Sequence, residues 1–159
     1  MSEGVITSCI GGCENRKFDQ GNRITIPNAF RERFQAKQVY LLKNIQSRSK
    51  ANNCIIAYTP EEYLAFYERL ETIFEGEMLD KAQRKIAGST DRAIIDKDGR
   101  ISLKPDFMEF AQLTDEAVIS CQPKKIEIWN PEKWSALQVF DEQTETDEGE
   151  QPDFSRVQF

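Results

Sequence analysis

Asp96-Lys97-Asp98-Gly99-Arg100-Ile101-Ser102-Leu103-Lys104-Pro105 and Asp19-Gln20-Gly21-Asn22-Arg23-Ile24-Thr25-Ile26-Pro27 are two versions of one segment. Their aspartates stand 77 positions apart, at residues 19 and 96. The correspondence runs outward from there. An aromatic follows each aspartate at the same distance (Phe30, Phe107), and then a strand-like run, Val39-Tyr40-Leu41-Leu42 or Val118-Ile119-Ser120-Cys121. The copies close on Tyr58-Thr59-Pro60-Glu61-Glu62-Tyr63 and Trp129-Asn130-Pro131-Glu132-Lys133-Trp134. Self-similarity of this kind marks a duplicated structural unit.

Residue chemistry assigns a local structure to each copy. Asp98-Gly99 between Ile94-Ile95 and Ile101-Ser102-Leu103 predicts a β-hairpin with a type I′ turn, which needs positive φ at both centres; Gly21-Asn22 takes the equivalent places. Beyond the turn, alternation puts Ile24 and Ile26 on one face and Arg23 and Thr25 on the other, with Ile101 and Leu103 opposing Arg100 and Ser102 in the second copy. The arginines therefore face outward. Pro27 and Pro105 end these strands, and short helices are expected to follow, carrying Phe30 and Phe34 or Phe107, Phe110 and Ala111 into the core. Thr59 with Glu62 three residues on is a capping box with Pro60 at the first helical position, and Asn130-Pro131 starts a helix in the same way. Tyr63, Phe66, Tyr67, Leu70, Ile73 and Phe74 fall at helical spacing as one apolar stripe, read as core or subunit interface.

Residues 77–87 read as a polar helix closed by Gly88 that joins the copies. Residues 44–53 occur only in the first copy and predict an exposed loop. The expected organisation is a first repeat over 1–75, a connecting helix over 76–90, a second repeat over 91–140 and an acidic, disordered tail over 141–159. The class expected is α+β.

Bulk properties narrow the function. With 159 residues and 39% hydrophobic content the chain can bury one core, or two small repeats packed together. Apolar runs are only a few residues long, and Met1–Ile6 shows no basic region ahead of an apolar core, so neither a membrane span nor a secretory signal is read. A cytoplasmic location is expected. The four cysteines (Cys9, Cys13, Cys54 and Cys121) are read as free thiols, and no metal or cofactor is expected. There is no histidine, which excludes Ser-His-Asp and Cys-His nucleophiles, and no phosphate-loop or nucleophile-elbow motif occurs. An enzyme is not expected. The net charge of −6 is carried by residues 141–159, where seven acids stand against one base, so the rest of the chain is neutral and compatible with a local basic face.

The constellation singled out is Asp-x-x-x-Arg. A carboxylate opening a tight turn accepts backbone N–H groups, so Asp19 and Asp96, with Gly21 and Gly99, shape the turns, while Arg23 and Arg100 project planar donor forks. Such forks bind phosphate bidentately and read guanine O6 and N7; Arg16, Lys17 and Lys97 are candidates for phosphate contacts. The competing reading is that each Asp and Arg simply form a salt bridge that stabilises the hairpin.

The segment Asp-Lys-Asp-Gly-Arg-Ile-Ser-Leu, preceded by Arg84, Gly88 and Ser89 and followed by Lys124-Lys125-Ile126-Glu127-Ile128-Trp129 and Trp134, resembles the MraZ family. The resemblance covers residues 11–138. It implies two tandem copies of the fold seen in AbrB-like transition-state regulators, as βαββα-like repeats with short helices around a pseudo-twofold, swapped-hairpin β-barrel. It also implies a homo-oligomeric ring that regulates transcription by binding direct repeats in double-stranded DNA near cell-wall and division genes, through Arg23 and Arg100, at the nucleoid. The first motif departs from the family's usual Asp-x-Lys-Gly-Arg, because Gln20-Gly21-Asn22 precede Arg23. The rival function is a partner-binding ring of the same fold that does not recognise DNA. No small-molecule substrate is expected under either reading.

Overall fold

A computed structural model describes residues 11–35, 37–46, 49–139 and Ser155. Cys9, and all of the expected disordered tail except Ser155, lie outside the described residues. The first half of the chain runs β1 (Cys13–Lys17), β2 (Arg23–Thr25), α1 (Asn28–Arg31), β3 (Gln38–Lys43), β4 (Ile55–Tyr58) and α2 (Pro60–Leu70). α3 (Gly76–Gly88) joins it to β5 (Thr90–Ile94), β6 (Arg100–Ser102), α4 (Pro105–Phe110), β7 (Glu116–Cys121), β8 (Ile126–Trp129) and α5 (Pro131–Gln138). The expected α+β class is what is found. Each half reads ββαββα, with a strand leading into the Asp-x-x-x-Arg turn ahead of the βαββα pattern.

The strands pair antiparallel in two sheets, one of six in the order β1-β7-β8-β4-β3-β5 and one of two, β2-β6. That order is its own mirror image if the halves are exchanged. The leading strand of each half pairs with the other half: β1 lies on β7 (Asn15↔Val118) and β5 on β3 (Tyr40↔Arg92). The six-stranded sheet does not close into a barrel, and β1 and β5 are its edges.

The expected hairpins are changed by this exchange. β5 and β6 flank the Asp98-Gly99 turn but separate after one pair, Asp96 N–H to Arg100 O at 2.9 Å, because β6 instead pairs with β2 (Ile24↔Ile101). The first turn opens the same way, with Asp19 N–H to Arg23 O at 2.9 Å.

Alternation along the strands sorts side chains to two faces. Leu41, Ile55, Ile119, Ile126 and Ile128 point to the side covered by the β2-β6 ribbon, α1 and α4, where Ile24, Ile101, Phe30 and Phe107 complete the main core. Leu42, Ile56, Tyr58, Val118 and Trp129 point to the side covered by α2, α3 and α5. Both cores draw on both halves. Burial of each such Ile or Leu is worth about 1.5–3 kcal/mol.

The helix signals are met in detail. Thr59 Oγ1 accepts the Glu62 amide at 3.1 Å and Glu62 Oε1 accepts the Thr59 amide at 3.0 Å, while Asn130 Oδ1 accepts the amides of Glu132 and Lys133. The aromatic stripe of α2 packs on the second core, with Tyr40 and Tyr63 stacked at 4.5 Å between ring centres. Ile73, past the end of α2 at Leu70, is the exception at 70% exposed. α3 ends at Gly88 as expected, and Ser89 caps it, its hydroxyl donating to Lys85 O at 2.9 Å. The loop between β3 and β4 holds a short 3-10 turn, Lys50–Asn52.

One buried arginine ties three elements together. The Arg33 guanidinium, just past α1, pairs with Glu62 at the start of α2 and donates to Gln122 O and Pro123 O in the β7–β8 turn.

Candidate nucleic-acid interface

The two Asp-x-x-x-Arg turns are the same structure built twice. Asp19 Oδ1 accepts the amides of Gly21 (2.9 Å) and Arg23 (3.0 Å); Asp96 Oδ1 accepts those of Asp98 (2.9 Å) and Arg100 (2.9 Å). The second oxygen of each carboxylate faces its own arginine, Asp19 Oδ2 to Arg23 Nε at 2.8 Å and Asp96 Oδ2 to Arg100 Nε at 3.0 Å. Amide donation, chiefly from the arginine's own N–H, holds both aspartates below the usual carboxylate range against the opposing effect of burial.

Only one residue per turn has positive φ, Asn22 (57°) in the first and Gly99 (80°) in the second, so the turn is not type I′. This residue sits after the turn and hands its carbonyl to the opposite strand. Leu103 N–H donates to Asn22 O at 3.0 Å and Ile26 N–H to Gly99 O at 2.8 Å. The ribbon is thereby closed at both ends and the turns are locked to each other. Gly21 shapes its turn differently from expectation: it lacks positive φ, and a Cβ there would sit 3.4 Å from Arg23 Nε. At Gly99 the positive φ calls for glycine, and a Cβ there would meet the far end of the Arg31 side chain, which would have to move aside.

The ribbon register sets Arg23 opposite Ser102 and Thr25 opposite Arg100. Strand alternation then puts both arginines on the outer face while Ile24 and Ile101 enter the core. Their guanidinium groups are differently placed. Arg100 also reaches Asp98 Oδ2 (3.2 Å) and, across the ribbon, Asp19 Oδ2 (3.5 Å), whereas the terminal nitrogens of Arg23 make no hydrogen bond to a described residue. Arg23 Nε, though close to Asp19, is not aligned for a hydrogen bond with it. The salt-bridge reading of the motif is thus physically present, and it draws the two turns into one cluster.

The other three basic candidates lie outside that cluster. Arg16 is on the edge strand β1 and pairs with Glu14 at 2.7 Å, Lys17 ends β1 exposed, and Lys97 is exposed within the second turn. Arg31 against Gly99 and Asp98 on Arg100 were not legible as site residues. Arg31 has Met108 at the matching place of the second copy, so repetition could not flag it. Lys43 and Lys104 are likewise tied to acids, Asp106 at 2.9 Å and Asp91 at 3.0 Å.

The family model described as "MraZ protein, putative antitoxin-like" matches residues 86–157, which includes the second turn and all that follows it in β6 to α5. The Transcriptional regulator MraZ of Saccharopolyspora erythraea is 28% identical over 124 residues, covering 77% of this chain and 82% of that protein. The chain is similar to the MraZ proteins over most of its length. The MraZ of Oleidesulfovibrio alaskensis is 28% identical over 127 residues (79% of this chain, 83% of its own). That of Shewanella oneidensis is 27% identical over 144 residues, 88% of this chain and 90% of its own. Matches of that length to MraZ must include parts of both halves, so the relationship extends to the first turn's half as well as the second's.

No helix among the described residues is long and apolar enough to cross a membrane. Among the described cysteines, Cys13 is exposed on β1 while Cys54 and Cys121 are buried as thiols, Cys54 being pushed up to about 12 mainly by burial.

Proposed function

We propose that this chain is a sequence-specific, double-stranded-DNA-binding transcriptional regulator, without catalytic activity or cofactor, acting in the cytoplasm at the nucleoid. The observation that carries the reading is the pair of superposable Asp-braced turns, which present Arg23 and Arg100 from one outer face of the β2-β6 ribbon. Its relatives carry the name transcriptional regulator, and the same function is proposed here. A guanidinium is planar by resonance, the geometry that meets guanine O6 and N7 or a phosphate bidentately, and the aspartate beside each Nε limits how that plane can turn. Arg16, Lys17 and Lys97 flank the turns as phosphate contacts, and Asp19, Gly21, Asp96 and Gly99 keep the turns in shape. The two repeats, 1–75 and 91–140, are read as one DNA-facing module.

One ribbon offers few positive charges, because three aspartates stand among its arginines. Assembly into a homo-oligomeric ring would set several ribbons against direct DNA repeats near division and cell-wall genes, and linked sites gain effective concentration without new contacts. Binding is then expected to be weak for one repeat, much tighter for several, and steeply salt-dependent.

The test is fluorescence anisotropy with a labelled duplex carrying tandem repeats from the upstream region of the protein's own gene, across a salt series. The Arg23→Ala/Arg100→Ala protein is expected to lose at least about tenfold in affinity, from ~1–3 kcal/mol per base-reading arginine, with its oligomer unchanged by native mass spectrometry. Equal binding by both proteins would remove these arginines from DNA recognition. It would favour a partner-binding ring, a second reading supported by the ion-pairing of Arg100 with Asp19, Asp96 and Asp98.

A further inference from the structure

On the side of the sheet away from the ribbon lies an open groove of about 630 Å³. Its floor is apolar, formed by Leu42, Ile56, Tyr58, Phe66, Leu70 and Ile86 from β3, β4, α2 and α3. Its rim carries four bases, Arg69, Lys85, Lys124 and Lys125, and none of the described residues lining it is acidic. In a chain of net charge −6 that segregation is a specific feature of this surface. Lys125 already has a partner, Glu127 at 3.2 Å, and Lys43 turns its ammonium to Asp106 of α4 on the other face of the sheet. Arg69, Lys85 and Lys124 form no ion pair with a described residue, and the Arg69 guanidinium lies over the Phe66 ring, 5.7 Å from its centre. The groove therefore offers an apolar trough beneath three uncommitted positive charges.

We infer that this groove is the docking site of the chain's own C-terminal segment, residues 140–159. The chemistry of that segment is the complement of the groove. It carries seven acids and one base, and it sets three phenylalanines, Phe140, Phe154 and Phe159, around the acidic run. The chain also leaves the fold on the correct side. α5 ends at Gln138, and its Trp134 packs into the same apolar cluster that floors the groove. From Val139 to Phe154 an extended chain reaches about 50 Å at ~3.3 Å per residue, more than the ~30 Å diameter of a small domain. Single exposed ion pairs are weak. Tethering changes this: a short linker supplies an effective concentration of about millimolar, so a few such pairs with one or two buried aromatic rings hold the segment in place. Phe154 and Phe159 fill the trough while acids among Asp141–Asp153 meet Arg69, Lys85 and Lys124. The segment's negative charge is then neutralised on the face opposite the arginine ribbon.

The experiment is hydrogen exchange of the full chain without DNA, so its outcome is independent of the DNA reading. The wild type is compared with Phe154→Ser/Phe159→Ser and with Arg69→Glu/Lys85→Glu/Lys124→Glu, circular dichroism confirming that each is folded. Amides of residues 66–74 and 82–86 are expected to exchange several-fold faster in both variants than in the wild type, at every protein concentration. The serine variant, its groove emptied, should also bind more anilinonaphthalene sulfonate. Equal exchange in wild type and both variants would overturn the proposal. Protection that rises with protein concentration would overturn it too, assigning the groove to a second copy's segment.

Discussion

Asp19 and Asp96 each divide their labour between two carboxylate oxygens, one holding two backbone amides and the other an arginine. The identity of these residues was legible because the motif recurs; the difference between them was not. Arg100 is shared among three aspartates while Arg23 has one, and this follows from Asp98 standing where the first copy has Gly21 and from the cross-ribbon approach of Asp19. Arg33 was silent in the sequence for a related reason: no spacing rule connects it to Glu62 or to the carbonyls of Gln122 and Pro123, which only packing brings together. Its side chain is 7% exposed, so its removal leaves the Glu62 carboxylate without its partner. Arg33→Met is expected to cost about 3 kcal/mol, as for other broken buried pairs, measured by urea unfolding. The Arg33→Met/Glu62→Met protein should lose less than the two single losses summed; full additivity would mean that the pair is not coupled.

At the scale of elements, the turns and helix starts are local chemistry. The Thr59–Glu62 box and the Asn130 cap are satisfied within four residues of their own position, which is why both could be read from composition. The turns have the same local character, with a consequence for pH. The carboxyls of Asp19 and Asp96 titrate below their unfolded value of about 3.9, so the stability they add is complete above that value. It is lost as pH falls through the lowered folded values. In an NMR titration down to about pH 2, the amides of Gly21 and Asp98 should shift with midpoints below ~3.9. Midpoints at or above that value would mean that the amide bonds do not hold the carboxylates ionised. The type I′ expectation failed at this scale because strand continuation, rather than the Asp-Gly pair, chooses the turn. β6 departs to pair with β2, and one positive φ at Gly99 suffices to hand its carbonyl across.

At the scale of the whole molecule the halves are exchanged rather than adjacent. β1 lies on β7, β5 on β3 and β2 on β6, so neither half holds its own leading strand and each core takes residues from both. A chain cut to residues 1–75, or to 76–159, is expected to lack native sheet by circular dichroism, and the two together to regain it. A folded 1–75 fragment would refute this interdependence. The duplication was legible by comparing the two copies directly, and the inward and outward faces of the strands, the helix caps and the amide-braced aspartates of the turns were determined by the sequence alone, since each of these depends on residues within a few positions of one another. Tertiary structure alone decided which strands pair, that the six-stranded sheet stays open, that the two arginines meet at one ribbon, and that a basic-rimmed apolar groove forms behind it. These depend on contacts between residues as far apart as Asn15 and Val118, whose pairing is selected by the joint burial of two apolar faces and carries no local signature.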